Sequence, residues 1–294
     1  MLVNVSYRSS IHRATKDRFV GRRAFTLLEL LAVMAIITVL ISMLLPAIQQ
    51  SRETARRLQC KNNLMQIGLA LCNYDSAHGC LPSGSVDPNR PIQNTPSGYH
   101  FGWIAQILPQ LEQPALYTAL DFSVGVHDKK NAATVARKVN VLICPSGMQL
   151  QTGSHCSYPA CHHDLEAPID IDNAGVMFLN SSFRRDDLFD GASNTIFVGE
   201  TSEWGMNWAV GTRDTLRNTG SPINGVVIPT VNAQSAYITK LKPTEVGGFS
   251  SPHSAGANFL LGDGSVRFIS ENLTMRVFRQ LGNRADGALP PADY

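Results

Sequence analysis

Hydrophobic positions are concentrated in one unbroken run near the start of the chain, residues 25–48, called the apolar segment below. This run, FTLLELLAVMAIITVLISMLLPAI, has 24 residues, and Glu29 is its single charged side chain. A helix of this length rises ~36 Å at 1.5 Å per residue, which is enough to cross a hydrocarbon core of ~30 Å. The pattern therefore predicts a transmembrane helix that carries one ionisable group.

Beyond the apolar segment the pattern becomes amphipathic. Over residues 49–78, apolar side chains recur at helical spacing along one stripe, opposite a face of charged residues. Gly79 then ends the pattern. The two segments are therefore predicted to form one helix of ~50 residues, ~75 Å long, whose second part packs on a head. The apolar positions of the stripe are Leu58, Met65, Leu69 and Cys72, widened by Ile67 and Leu71.

The remaining residues, 79–294, are the head, and they show shorter elements, mostly of strand character. One long helix followed by such strands predicts an α+β fold, in which the helix packs on an antiparallel β-sheet head with insertions. A last helix is predicted with Asn272 as its cap and Gly282 as its end. The predicted segments are a helix pair at 102–120 broken by Pro109 and Pro114, a helix at 128–137, strands at 139–144, 175–179, 195–200, 225–229 and within 257–269, and a final helix at 272–281.

Charge is distributed unevenly along the chain. Residues 1–24 hold six basic side chains and one acidic one, a net charge of +5, so the remainder of this chain of net charge +2 carries −3. The basic flank keeps the N-terminus in the cytoplasm and sends the head outward across a single membrane span. A mildly acidic body predicts no nucleic-acid partner. A plain signal peptide or signal anchor is the alternative, but the apolar segment is longer than a secretory signal, and Pro46-Ala47-Ile48 is a poor cleavage site.

The residues that lead into the apolar segment, Arg22-Arg23-Ala24-Phe25-Thr26-Leu27-Leu28-Glu29, resemble the processing site of type IV prepilins and type II secretion pseudopilins. The resemblance implies that a prepilin peptidase cuts between Ala24 and Phe25 and that Phe25 becomes N-methylated. It also implies that Glu29 pairs with the amino terminus of a neighbouring pilin-like subunit. Pro46 lies where pilins often have a helix-kinking proline, whereas Ala24 stands where the family usually has glycine.

Glu29 is the chemically distinctive residue of the apolar segment. A carboxylate inside a membrane helix costs a few kcal/mol even on lenient insertion scales, so it usually marks a function and a partner. Cleavage before Phe25 creates an amine, and a neighbour's amine at the same depth neutralises the carboxylate. The alternative is that Glu29 lies close enough to the membrane interface to reach water.

The head carries a second resemblance, to a large bacterial family that combines a prepilin-type N-terminus with a C-terminal H-x9-DG motif. His253, followed after nine residues by Asp263-Gly264, matches that motif. Members of the family are sometimes described as extracellular solute-binding proteins, which implies a ligand-binding head without identifying the ligand. The other segments of the resemblance are Cys60-Lys61-Asn62-Asn63-Leu64, Leu142-Ile143-Cys144-Pro145-Ser146, Asp190-Gly191-Ala192-Ser193-Asn194-Thr195 and Gly199-Glu200.

Two interpretations of the H-x9-DG motif stay open. Asp263-Gly264 between two apolar runs is typical of a β-hairpin turn, since both residues tolerate positive φ, and His253 then forms a hydrogen bond across the hairpin base. The other interpretation is that His253 and Asp263 hold a cation or form a catalytic pair. The hairpin is the interpretation that the pattern favours.

The segment Cys161-His162-His163-Asp164, with Asp170 and Asp172 further on, is a second candidate metal site. Adjacent histidines suit zinc or copper, and Asp170-x-Asp172-Asn173 resembles part of an oxygen cage for structural calcium. Neither match is complete, because the H-E-x-x-H and EF-hand patterns are absent. The alternative is a polar loop whose Asp and Asn residues form local turns.

The six cysteines are even in number, which outside the cytoplasm favours disulfides. Cys72 and Cys80 flank the predicted helix end and are candidates to pair. Cys144 is predicted to pair with Cys156 or Cys161, and Cys60 is predicted to pack in the interface between helix and head.

The sequence therefore predicts a pilin-like or pseudopilin-like structural protein of the bacterial cytoplasmic membrane, with its head periplasmic or extracellular. No serine-nucleophile, phosphate-binding or dinucleotide-binding motif is present, so no enzymatic activity is predicted. Two alternatives remain: a membrane-tethered solute-binding or adhesive head that does not polymerise, and a metal-dependent enzyme. The predicted organisation is a leader at 1–24, a transmembrane helix at 25–48, its continuation at 49–78, and the head at 79–294.

Overall fold

The structure is a computed structural model, and it describes residues 25–150, 153–203, 205–225 and 242–291, without the side chains of 148–150. The chain divides into two compact units, Met1–Gln50 and Ser51–Tyr294. The predicted leader, with Ala24, and most of the predicted strand at 225–229 lie outside the described residues.

The first helix, α1, runs from Leu27 to His78, which confirms the long helix that the pattern predicted. It ends where expected, because Gly79 adopts a φ of +71° and its N–H donates to the carbonyl of Asp75 at 2.8 Å. Pro46 lies inside α1, and the bend expected there stays a prediction.

The buried stripe of α1 differs from the predicted one. Leu58, Met65 and Leu69 are exposed, whereas Ile67 and Leu71, predicted only to widen the stripe, are fully buried. The apolar positions of this segment fit two neighbouring stripes, and tertiary packing selects the one that contains small residues. The buried positions of α1 are Cys60, Asn63, Leu64, Ile67, Gly68, Ala70 and Leu71.

The head is built on a five-stranded sheet with the order β5-β3-β4-β6-β7. The pairs β3–β4, β4–β6 and β6–β7 are antiparallel, as predicted, but β3 and β5 are parallel. A separate antiparallel pair joins β1 to β2. The strands are β1 Ser85–Val86, β2 Phe101–Gly102, β3 Ala160–His163, β4 Ile196–Gly199, β5 Leu216–Asn218, β6 Gly256–Leu261 and β7 Val266–Ser270.

Within the described residues, four short helices follow α1 in the α+β fold: α2 Trp103–Ile107, α3 Pro114–Thr118, α4 Lys129–Val135 and α5 Met275–Gly282. The broken helix pair is confirmed by α2 and α3, and α5 follows Thr274 instead of the predicted cap Asn272. The strand predicted at 139–144 is wrong, because Asn140–Leu142 form a 3₁₀ turn. The strand predicted at 175–179 is also absent from the described structure.

Strand β6 is buried on both faces because a helix covers each of them. On one face Gly68 of α1 lies so close to Leu260 that an added Cβ would meet its Cδ1 at 2.7 Å. On the other face Phe259 packs against Phe278 of α5, with ring centroids 5.6 Å apart. The sheet therefore forms the middle layer between α1 and α5, which explains why all six residues of β6 are buried.

Candidate functional site

The first turn of α1 forms a capping box. The Oγ1 of Thr26 accepts a hydrogen bond from the N–H of Glu29 at 3.2 Å. In return, the Glu29 carboxylate accepts bonds from the N–H and the hydroxyl of Thr26, both at 2.9 Å. This reciprocal pair satisfies donors that a helix start leaves unpaired. The Thr-x-x-Glu spacing is the sequence signal for this role, which is additional to the pairing role predicted for Glu29.

The apolar segment that follows presents its side chains to the outside all around the helix. Every described residue from 25 to 50 is exposed, including Leu27 and Leu28 at about 80% each. Within the described residues, α1 is the single helix long and apolar enough to cross a membrane. An apolar surface of this extent requires a cover of lipid or of other apolar helices.

Further along α1, a disulfide links Cys60 to Cys144, with a Cα–Cα distance of 5.2 Å. Asn63, one turn later, donates hydrogen bonds to the carbonyl of Ile143 at 3.0 Å and to the Tyr158 hydroxyl at 3.1 Å. The helix is therefore joined to the segment that carries Cys144 by one covalent bond and one buried hydrogen bond, and to Tyr158, before β3, by a second buried hydrogen bond.

His253 lies beside this disulfide and is almost fully buried. Its Nε2 is 3.6 Å from the Sγ of Cys144 and 3.6 Å from an oxygen of Glu200. Its Nδ1 is 3.0 Å from an oxygen of Glu53 on α1. A carboxylate can only accept, so Nδ1 carries the hydrogen of this bond, and in the neutral ring the lone pair of Nε2 faces the sulfur and Glu200.

Glu200 is fully buried at the end of β4, and hydrogen bonds satisfy its carboxylate. One oxygen accepts from the Ser251 hydroxyl at 2.7 Å and from the N–H of Asn258 at 2.8 Å. The other accepts from the side-chain amide of Asn258 at 2.9 Å and faces His253. These donors fix the position of a group that burial would otherwise penalise heavily.

Glu53 is partly exposed and closes the outer side of this arrangement. Burial alone raises the pKa of its carboxyl, but hydrogen bonds from His253, Arg56 and Ser146 together hold that pKa below its ordinary value. Ser146 donates at 3.0 Å, and the Nε of Arg56 donates at 2.8 Å. Glu53 is therefore an ionised acceptor for the His253 ring.

Comparison with known families adds two matches. A family described as "Protein of unknown function (DUF1559)" matches residues 49–276, which is most of the chain. The chain belongs to the DUF1559 family. A "Prokaryotic N-terminal methylation motif" matches residues 21–45, which include Phe25 and Glu29. This DUF1559 protein is therefore a type IV pilin- or pseudopilin-like protein with the N-terminal segment that prepilin peptidase processes.

The methylation motif and the exposed apolar segment are both consistent with a single-pass membrane anchor. Comparison with curated proteins gave no significant match. Comparison with solved structures gave none either. The head of this DUF1559 protein is therefore interpreted from its own geometry.

The H-x9-DG motif of the DUF1559 chain does not form a single site. Asp263 and Gly264 form the exposed turn between β6 and β7, with a φ of +86° at Gly264, so the predicted hairpin is confirmed. The predicted hydrogen bond of His253 across the hairpin base is wrong, because the ring contacts Glu53 and Glu200 instead. His253 and Asp263 do not pair either, since β6 separates them by ~17 Å of extended chain.

The predicted disulfide pairings of this DUF1559 chain are also wrong. Cys60, expected only to pack, forms the disulfide, and Cys72, Cys80, Cys156 and Cys161 are free. Cys72 and Cys80, which flank the end of α1, do not form a disulfide with each other. The sulfurs of Cys156 and Cys161 are buried against backbone groups of their own strand region.

The second candidate metal site is dispersed over several contacts. His162, on β3, is buried with its Nδ1 3.1 Å from the Asn173 side chain, and burial lowers its pKa to about 3. His163 pairs with Asp164, and Asp170 pairs with Arg90 at 2.9 Å. Asp172 is exposed. Among the described residues these side chains do not gather into a group of ligands, and the structural calcium expected from the sequence stays a prediction.

Proposed function

We propose that this chain assembles with other pilin-like subunits into a filament or pseudopilus through the apolar segment, with Glu29 as the residue that selects the neighbouring subunit. The observation that carries the proposal is a wholly exposed apolar helix whose single charge lies in its first turn, inside the match to the N-terminal methylation motif. The proposal includes a head that lies outside the cytoplasm, since the basic flank of the segment retains the N-terminus inside.

The energetics of Glu29 support assembly. A lone carboxylate in lipid is costly, and so is the amine that cleavage creates at Phe25. When two subunits lie side by side with a small axial offset, the amine of one meets the carboxylate of the other. Each charge then offsets the desolvation cost of its partner, whereas an unpaired charge in the apolar layer retains that cost.

The capping box gives Glu29 a second role that any experiment has to separate from the first. The carboxylate stabilises the start of α1 through Thr26 whether or not a neighbour is present. Loss of such a cap costs about 1 kcal/mol in a typical helix. A change in assembly after substitution of Glu29 therefore identifies charge pairing only if loss of the cap alone has no such effect.

The test compares the Glu29→Gln and Thr26→Val variants with the native protein in the native cell. Glu29→Gln keeps a side-chain acceptor for the Thr26 donors and removes the charge. Thr26→Val removes the capping hydroxyl and keeps the charge. Both variants are expected in the membrane fraction, and immunogold electron microscopy is expected to show filaments for native protein and Thr26→Val but not for Glu29→Gln.

Two results would overturn the proposal. Filaments formed by Glu29→Gln at the native level would show that the charge does not select the neighbour. Diffuse membrane label for the native protein would show that the helix serves only as a tether, which is the solute-binding or adhesive alternative.

A further inference from the structure

Four ligand-bearing side chains converge where α1 packs on the head, and the filament proposal uses none of them. The sulfurs of Cys60 and Cys144, the imidazole of His253 and the carboxylate of Glu200 are buried, with their ligand atoms all within 4.8 Å of one another. We propose that in its dithiol form the chain binds one Zn²⁺ ion through these four residues, called the Cys₂HisGlu cluster below. The proposal is independent of whether the protein forms filaments.

Two distances within the cluster are close to those of a tetrahedral zinc site. Zinc binds sulfur at about 2.3 Å and imidazole nitrogen at about 2.05 Å, so a tetrahedral S···N edge is about 3.5 Å and an N···O edge about 3.4 Å. The observed distances from Nε2 of His253 are 3.6 Å to the Cys144 sulfur and 3.6 Å to the Glu200 oxygen. The two sulfurs, bonded in the disulfide, have to separate to about 3.8 Å.

The outer contacts of the cluster are those that zinc sites use. A zinc-bound histidine usually donates its second ring N–H to a carboxylate, which fixes the ring and its tautomer. Glu53 accepts that bond from Nδ1 of His253 at 3.0 Å. Ser251 and Asn258 orient the Glu200 carboxylate through three hydrogen bonds. The nitrogen and oxygen ligands are therefore held in place before any metal arrives.

The chemistry of the donor set selects the metal. Two thiolates and an imidazole favour zinc and related borderline ions, whereas calcium and magnesium prefer sites made of oxygen atoms alone. The ligands come from distant parts of the chain, on α1, before β3, at the end of β4 and before β6. A zinc ion would therefore link the same elements that the disulfide links, and it would stabilise the reduced head.

Disulfide and zinc exclude each other at this site. The disulfide is converted to two thiols by two electrons and two protons, which a small dithiol supplies as it becomes a disulfide itself. Zinc then displaces the two thiol protons and binds both thiolates. The oxidised chain lacks the two thiolate ligands, so metal binding reports the redox state of Cys60 and Cys144.

The experiment uses the full chain in detergent, reduced with dithiothreitol, which is then removed without oxygen. Zn²⁺ is added, excess is removed by desalting, and bound zinc is measured by plasma mass spectrometry. The expected content is about one ion per reduced chain, the number of sites proposed, and none per oxidised chain. Co²⁺ added in place of zinc is expected to give the visible and near-ultraviolet bands of tetrahedral thiolate coordination.

Variants assign the binding to the cluster. His253→Asn, checked for folding by circular dichroism, is expected to lose the cobalt spectrum. Glu53→Gln keeps the fold, because this side chain is 42% exposed, and it is expected to weaken zinc binding about 10- to 100-fold. The double variant Cys72→Ser with Cys80→Ser removes two free cysteines outside the cluster and is expected to bind zinc as the native chain does.

Three outcomes would overturn the proposal. The first is a reduced native chain that binds neither zinc nor cobalt. The second is loss of binding in the Cys72→Ser, Cys80→Ser control, which would place the thiolates elsewhere. The third is native affinity in Glu53→Gln together with an unchanged cobalt spectrum in His253→Asn, which would show that the histidine is not a ligand.

Discussion

The disulfide between Cys60 and Cys144 gives the sharpest stability prediction, because it closes a long loop. The two residues are 84 positions apart. In the chain-entropy model, a cross-link over a loop of this length removes enough freedom from the unfolded chain to stabilise the fold by about 4.5 kcal/mol. The Cys60→Ser, Cys144→Ser double variant is therefore expected to lose about that much free energy of unfolding.

The assay is thermal unfolding of the full chain in detergent, followed by circular dichroism, with a metal chelator present so that bound metal does not add to the stability of any chain. For a unit of this size, 1 kcal/mol corresponds to a shift of about 2–4 °C, so Tm is expected to fall by about 9–18 °C. The control is Cys72→Ser with Cys80→Ser. These cysteines are free, so Tm is expected to change little.

Non-reducing peptide mapping accompanies the melting experiment. It is expected to show one linked pair of peptides, containing Cys60 and Cys144, and alkylation of the other four cysteines. If the Tm of the Cys60→Ser, Cys144→Ser variant shifts no more than that of the control, the proposed stabilising role of the disulfide is refuted. A linked pair containing Cys72 and Cys80 would refute the connectivity itself.

Two further predictions concern buried charge in the head. Burial lowers the pKa of His155 to about 4, below its unfolded value of about 6.5. The unfolded chain therefore binds the proton first as the pH falls between these values, and the free energy of unfolding decreases by about 3 kcal/mol at pH 4. His155→Gln is expected to flatten the fall in Tm over this pH range, and an unchanged slope would contradict the assignment. Glu203 accepts from fully buried Arg217 at 2.6 Å, so Glu203→Ala is expected to cost about 3–5 kcal/mol in a denaturant titration. Glu203→Leu with Arg217→Met is expected to cost less, and equal losses would argue against an uncompensated charge.

The long helix and the hairpin were predictable because their signals are local. Fifty residues without a strong breaker other than Pro46 define a helix by periodicity and composition alone. Asp263-Gly264 between two apolar runs specifies a turn through the positive φ that Gly264 adopts. Pro109 and Pro114 likewise interrupt the helix pair as predicted, because Pro109 begins a 3₁₀ turn and Pro114 begins α3.

The short strands were harder to predict, because their stability comes from neighbours and not from their own residues. Strand β3, Ala160–His163, carries two adjacent histidines, and the sequence pattern there predicts a polar loop or a candidate metal site instead of a strand. Its position between β5 and β4 supplies the backbone partners that make it a strand. Strand propensity is weak compared with such tertiary context.

The Cys₂HisGlu cluster could not be predicted from the sequence, for a different reason. Separate motif segments carry Cys60, Cys144, Glu200 and His253, and spacings of tens of residues give no information on which segments meet. Glu53 is a charged residue of the amphipathic segment 49–78, and its contact with His253 joins residues 200 positions apart. Such pairings depend on the packing of α1 against the sheet, which only the folded structure provides.

The central claim is that this DUF1559 family member is a pilin-like protein whose mature chain starts at Phe25. The most direct test is mass spectrometry of the N-terminal peptide of protein purified from native membranes. We predict a chain that begins with N-methylated Phe25. A mature chain that begins at Met1, or at a residue beyond the apolar segment, would contradict the claim and identify the segment as an uncleaved anchor or as a removed signal.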